Sequence, residues 1–278
     1  MTRRLILLVL LAGLGIGGWW AWNNNADLRS TIEQYVENGE FLTLEAKYTP
    51  EQIMDLHRKE LLADAQHTYQ DPVLKFYPYL LIDAKYTQSD KKTREGIILW
   101  GLVDGEMILD TETWDKTHGF EDAINADASR NDFKIMHALA KSGNLSRVDL
   151  QNELHLEADT LEPWIESVCH KKLVIDNGHE LQLHFQNPKI IVTPQTKVKQ
   201  AFVTKPAYAA QRIAKKYNRR QVEKITQAAF GQTFTIRNVY EVFLPVYCIS
   251  VLNPDGTVFS SYWNALNGQQ LPQGTFKL

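Results

Sequence analysis

The sequence predicts an α+β protein behind an amino-terminal transmembrane helix, with two related helix-plus-antiparallel-sheet modules flanking an insert. Three observations predict it. Residues 5–22 form an uncharged run of 18. Segments 76–108 and 243–271 repeat one hairpin pattern. Between them, 131–185 shows helical periodicity that gives way to alternating strands. With 44% hydrophobic and 23% charged residues the chain has a folded composition, not a disordered one. The net charge of −3 excludes a globally basic nucleic-acid binder. Its two cysteines, Cys169 and Cys248, exclude a disulfide-dense scaffold and a four-cysteine zinc site.

The opening run spans roughly 27 Å as a helix, enough to cross the hydrocarbon core. Nine of its residues are Leu, Ile or Val, each favouring lipid by about 0.5 kcal/mol. Arg3 and Arg4 precede it, and Asp27, Glu33, Glu37 and Glu40 follow with Arg29 alone. The positive-inside rule keeps the short tail in the cytoplasm and sends the remainder across, with Trp19, Trp20 and Trp22 at the outer interface. A cleaved signal peptide is the competing reading, but Ala-Trp-Asn-Asn-Asn-Ala at 21–26 offers no good small-x-small site. Gly13 and Gly17 have helix-pairing spacing, which arises readily in a glycine-rich anchor.

Each repeat has an aromatic and proline entry, an apolar strand, a polar turn, a second strand and then a shared motif. That motif is Trp100, Asp104, Gly105, Glu106 in the first copy and Trp263, Asn267, Gly268, Gln269 in the second. Asp-Gly and Asn-Gly favour tight turns because both residues tolerate positive φ. A helix should precede each hairpin, from Thr49-Pro50-Glu51 to about residue 64, and from Thr204 with Pro206 to about residue 230. Thr accepts an orphan amide and Pro suits a first turn. Strand-like runs at 41–48 and 201–203 precede these helices. The expected division is a tail and anchor at 1–25, a helical spacer at 26–40, modules at 41–128 and 188–278, and an insert at 129–187.

Tyr240, Val242, Asp255, Gly256, Ala265, Gly268 and Leu271 carry a pattern that resembles the PepSY-type module over about 70 residues. The first copy departs from it through a longer, charged turn at 87–95. The resemblance implies a small extracytoplasmic binding or inhibitory module without catalytic residues.

In the insert, Phe133, Ile135, Met136, Leu139 and Ala140 share a helical face that ends at Gly143. Leu145-Ser146 opens a second helix, 159–170 forms a third, and 173–175 with 181–185 form a hairpin around Asn177-Gly178. This order resembles a winged helix, with Ala-Leu-Ala-Lys-Ser-Gly at 138–143 and Lys172-Leu173-Val174 in place. DNA reading would need cations for phosphates. The third helix instead carries Asp159, Glu162 and Glu166 without Lys or Arg, and 130–187 holds six basic against nine acidic residues. A packing or protein-contact role is expected, and no nucleic-acid partner.

No catalytic, cofactor or metal motif stands out. His57, His67, His118, His137, His155, His170, His179 and His184 have no ligand spacing, and both cysteines read as buried thiols. Asp83, Asp104, Glu106 and Asp110 read as solvated turn acids. Two candidate sites remain. A basic face of Lys205, Arg212, Lys215, Lys216, Arg219, Arg220 and Lys224 is expected along the second helix. A groove between the modules would use Tyr79, Trp100, Tyr247 and Trp263. The first functional expectation is a non-catalytic, membrane-anchored binding or scaffolding protein of the cell envelope, contacting a protein or an anionic partner. The alternatives are a membrane-tethered winged-helix regulator, with opposite topology, and an envelope enzyme.

Overall fold

A computed structural model describes residues 39–62, 66–87, 91–207 and 210–272. The expected anchor and most of the spacer therefore lie outside the described residues. Among the described residues no helix is long and apolar enough to cross a membrane.

The first part of the chain runs β1 (Glu40–Leu44), α1 (Pro50–Leu56), α2 (Arg58–Leu61), β2 (Thr68–Tyr69), β3 (Val73–Thr87), β4 (Thr93–Gly101), β5 (Met107–Asp110) and β6 (Asp115–Lys116). Then come α3 (Phe120–Asn125) and the insert, which is α4 (Arg130–Ser142), α5 (Arg147–Leu154), α6 (Ala158–His170), β7 (Val174–Asp176) and β8 (Leu181–Leu183). The last part is β9 (Phe202–Pro206), β10 (Gln211–Arg212), α7 (Arg219–Phe230), β11 (Thr235–Leu252), β12 (Val258–Asn264) and β13 (Gln270–Leu271). The fold is mixed α+β, as the sequence predicted.

Both hairpins belong to one sheet, with the central order β13-β12-β11-β3-β4-β5-β6. The long strands β3 and β11 pair antiparallel at its middle, where Phe76 faces Pro245 and Pro78 faces Phe243. Tyr77 thus sits opposite Leu244, its own counterpart in the repeat, so a pseudo-twofold axis passes between them. The two turns agree bond for bond. The Leu102 amide donates to the Pro78 carbonyl at 3.0 Å, and Ala265 to Pro245 at 3.1 Å. Gly101 donates to Glu106, and Asn264 to Gln269, both at 2.9 Å. Asp104 and Asn267 each accept the amide two residues on. Gly105 and Gly268 both have φ +71°, the left-handed region that the motif reserves for glycine.

The helices cross between the repeats. The α1–α2 segment, from the first half, covers the second hairpin, where Ile53 and Leu61 pack with Ile249, Val251 and Trp263. Helix α7, from the second half, joins the core over the first hairpin, placing Val222 and Ile225 with Leu80, Ile82 and Trp100. The entry to each helix shows the same exchange. Lys47 and Tyr48 donate their amides to the Ala265 carbonyl at 2.9 and 3.0 Å, while Lys216 and Tyr217 donate theirs to Leu102, both at 2.9 Å. β1 lies parallel to β11 at Phe243, and β10 lies parallel to β3 at Phe76, the equivalent residue. The expectation of a helix packed on its own hairpin is corrected accordingly. Similar apolar faces could accept either helix, and the parallel β1 and β10 pairings deliver each helix to the other half.

The second helix is also corrected. Thr204 and Pro206 do not open it; they lie in β9, which pairs antiparallel with β1. Asn218 is the N-cap, forming a capping box with Gln221, as Thr49 does with Gln52. The preceding strand spans Phe202–Pro206 rather than 201–203, and the first helix breaks at His57 and ends at Leu61, short of residue 64.

Sheet alternation divides the interior. Tyr77, Tyr79, Leu81, Leu99, Ile108, Val242, Leu244, Val246 and Leu271 share one core, into which β1 adds Leu42 and Leu44. The sheet curls enough for its two ends to meet, since the Asn267 side-chain amide donates to the Glu112 carbonyl at 3.1 Å. Helix α3 and the insert close the other face of the first hairpin, with Phe120 of α3 set edge to face against Trp100 at 4.9 Å between centroids. Helices α4–α6 and the β7–β8 hairpin keep the expected Ser146 and Gly143 caps and add one at Ser129. Ser129 and Ser146 open α4 and α5, Gly143 closes α4, and Leu145 bridges to Leu181.

Candidate functional site

The curl that joins the sheet's ends creates a pocket of about 120 Å³ lined by Tyr79, Asp104, Trp114, Lys116, Gln269 and Leu271, among others. Both repeats contribute. Tyr79 comes from β3 and Asp104 from the first turn, while Gln269 to Pro272 come from the second turn and β13. Trp114 and Lys116 come from the β5–β6 connection and β6.

Asp104 is fixed before any ligand arrives. One carboxylate oxygen accepts the Glu106 amide at 3.3 Å, and the other accepts the Lys116 ammonium at 3.0 Å. Gly101 permits this, because a Cβ there would lie 2.0 Å from the Asp104 carboxylate oxygen. Tyr79 meets Trp114 edge to face, with centroids 5.6 Å apart and planes at 78°. Burial, and after it the Asp104 carboxylate, holds the Tyr79 phenol well above its ordinary value, with a hydrogen bond from Trp114 opposing them. The phenol is therefore neutral. Trp114 itself has φ +57°, a conformation that bulky L residues rarely adopt.

Beside the pocket, Glu106 anchors α3. It accepts the Thr117 hydroxyl at 2.6 Å and the Gly119 and Glu121 amides at 2.9 and 3.1 Å. Burial raises its pKa, against the lowering effect of these donors. The expectation that the first-hairpin acids face water is thus corrected, since Asp83, Asp104 and Glu106 are buried. Asp104 turns to the Glu106 amide and Lys116, Glu106 to the start of α3, and Asp83 lies within β3 beside Asn238, so neighbouring elements cover all three.

The four aromatic residues expected to form a groove are not brought together. Trp100 lies in the core beneath α7 and the insert, Tyr79 in the core of the curled sheet, and Tyr247 and Trp263 beneath α1–α2. Period-two alternation separates Tyr79 from Trp100, and the helix exchange covers both tryptophans. Of the four, Tyr79 alone lines the pocket.

The basic residues scatter as well. Lys205 lies in β9, Arg212 in β10, Lys215 and Lys216 in the connection, and Arg219, Arg220 and Lys224 on α7. Lys215 pairs with Glu241, Lys216 with Glu121, Arg219 with Glu223 and Lys224 with Asp127. The Arg212 guanidinium lies 5.8 Å from the Phe41 ring centroid. A continuous helical face does not form because the helix begins only at Arg219, after its Asn218 cap. Among the described residues no group of three or more His, Cys, Asp or Glu side chains could hold a metal ion. Cys248 is buried and Cys169 half-buried, both as free thiols.

Sequence reasoning missed Trp114, Lys116, Gln269 and Gln270 as lining residues. It also missed the Lys-Tyr-x-x-x-Gln signature at 47–52 and 216–221, which marks the equivalent helix starts and was visible in the sequence. Comparison of the chain with protein-family models, curated proteins and solved structures found no match in any of the three.

Proposed function

We propose that the chain is a non-catalytic binding or scaffolding protein of the cell envelope, tethered by residues 5–22 with its folded part outside the cytoplasm. The observation that carries this reading is the pocket that both repeats build where the sheet's ends meet. A duplicated scaffold closing on one site is suited to holding a partner. Recognition is by shape and hydrogen bonding, with the PepSY-like resemblance of the second repeat in accord. The insert is read as a winged-helix-like protein-contact unit. Arg147, at the start of α5, is occupied by Glu162 and Asp176, at 3.3 and 2.7 Å, so it does not supply a phosphate contact.

A reporter fused after Leu278, read alongside protease protection of the folded part in intact cells, tests this reading. Activity of an extracytoplasmic reporter is the expected result. A cytosolic chain end would overturn it and favour the membrane-tethered regulator.

A further inference from the structure

The two repeats are alike in backbone, yet the pocket draws on residues in which they differ. Tyr79 and Asp104 of the first repeat correspond to Val246 and Asn267 of the second, and Gly101 corresponds to Asn264. Only the first repeat therefore supplies a phenol and a carboxylate here, with a glycine that gives the carboxylate room. Trp114 stands at the rim, half-buried and in a left-handed backbone conformation. Such a conformation costs on the order of 1–3 kcal/mol and persists where surrounding structure imposes it, here the tight turn between β5 and β6.

We propose that this pocket binds a neutral pyranose ring, as one residue of an envelope glycan; the glycan source rests on the envelope reading above. Size comes first. About 120 Å³ is less than the roughly 150 Å³ cavity that encloses a benzene, so the pocket takes one edge of a ring and leaves the rest of the glycan in solvent. Charge comes next. Asp104 and Lys116 already neutralise each other at 3.0 Å, so an anion meets the carboxylate and a cation meets the ammonium. Neighbouring hydroxyls avoid both penalties, one donating to Asp104 and the other accepting from Lys116. Gln269, Gln270 and Thr113 add amide and hydroxyl groups along the wall. Trp114, Tyr79 and Leu271 supply apolar surface for the C–H face of a ring, which pairs favourably with an aromatic quadrupole.

The test titrates the full chain in detergent micelles with methyl glucoside and methyl N-acetylglucosaminide, following the Trp114 indole signal by NMR. Glucuronate and alanine serve as anionic and zwitterionic comparators. The expected result is saturable shifting by a neutral sugar in the roughly millimolar range. Trp114→Gly, which relieves the left-handed backbone, and Gln270→Ala, on an exposed edge, should each weaken binding, the former by about tenfold, read by saturation transfer. Both should leave the thermal transition within a few degrees. The proposal is overturned if no neutral sugar shifts Trp114 by about 50 mM, if glucuronate or alanine binds more tightly, or if affinity survives Trp114→Gly. Chain topology is measured separately. A negative titration with an extracytoplasmic Leu278 removes the ligand alone, whereas a cytosolic Leu278 with sugar binding intact removes the envelope source alone.

Discussion

Truncating Ile53 should disturb the second hairpin, although the residue belongs to the first half of the chain. Its side chain is 0% exposed and shares a core with Ile249 and Trp263. Ile53→Val removes one methyl group and should cost about 0.5–1.5 kcal/mol. Ile249→Ala, in the same cluster, should cost about 2–5 kcal/mol, and so should Ile82→Ala at the equivalent place in the first hairpin. Residues that share a cavity couple, so Ile53→Val with Ile249→Ala should depart from additivity by about 0.5 kcal/mol or more. Ile53→Val with Ile82→Ala should add to within about 0.3–0.5 kcal/mol. Urea denaturation read by tryptophan fluorescence measures both cycles, with about 2–4 °C of Tm per kcal/mol as a cross-check. Coupling to Ile82 in place of Ile249 would refute the helix exchange and restore two self-contained modules.

The paired tryptophans should respond unequally to Phe. The Trp263 indole donates to Ser261 at 2.7 Å, whereas the buried Trp100 indole nitrogen has no partner among the described residues. Trp263→Phe loses a hydrogen bond as well as volume, while Trp100→Phe also relieves a desolvated donor; chemical denaturation should place the former lower in stability by about 1–2 kcal/mol. At Glu106, alanine orphans three donors and should cost about 1–3 kcal/mol, but Gln, the residue its counterpart Gln269 already uses, should stay within about 1 kcal/mol at neutral pH. Equal losses in the two variants would discard the anchoring role. In acid the two buried carboxylates oppose one another. For Asp132, burial raises the pKa, but Lys171 and the Ser129 amide and hydroxyl outweigh it and leave the value lowered. Its stabilisation is present above the ordinary carboxylate range and is lost as pH falls through the depressed folded value. Glu106, raised by burial, contributes in the other sense, gaining stability as pH falls through its elevated folded value toward the unfolded one. Asp132→Asn should therefore flatten the acid loss of stability below about pH 4, and Glu106→Gln should steepen the decline above it. An unchanged pH profile in both would show that neither group carries the linkage.

The candidate site was less legible than the fold because its residues belong to separate parts of the sequence. Asp104 was visible as a turn residue, but its burial depends on Lys116 and on the absence of a side chain at Gly101. Trp114 follows a turn with no motif around it, and Gln269 to Pro272 read as the polar end of a hairpin. Their meeting required the sheet to curl, and curl is a property of strand twist summed over many residues.

The amino-acid order alone determined the local elements: the paired Trp-x-x-x-Asp/Asn-Gly turns, the Ser129, Ser146 and Gly143 caps, and the alternating strands. Each follows from interactions within a few residues, where positive φ, orphan amides and side-chain period act directly. Tertiary structure decided which helix covers which hairpin, that both hairpins share a sheet, and that its two ends enclose a pocket. Two copies of one pattern present equivalent apolar faces, so local periodicity assigns a helix to either; the choice rests on long-range strand pairing, at Thr43 with Phe243 and at Arg212 with Phe76.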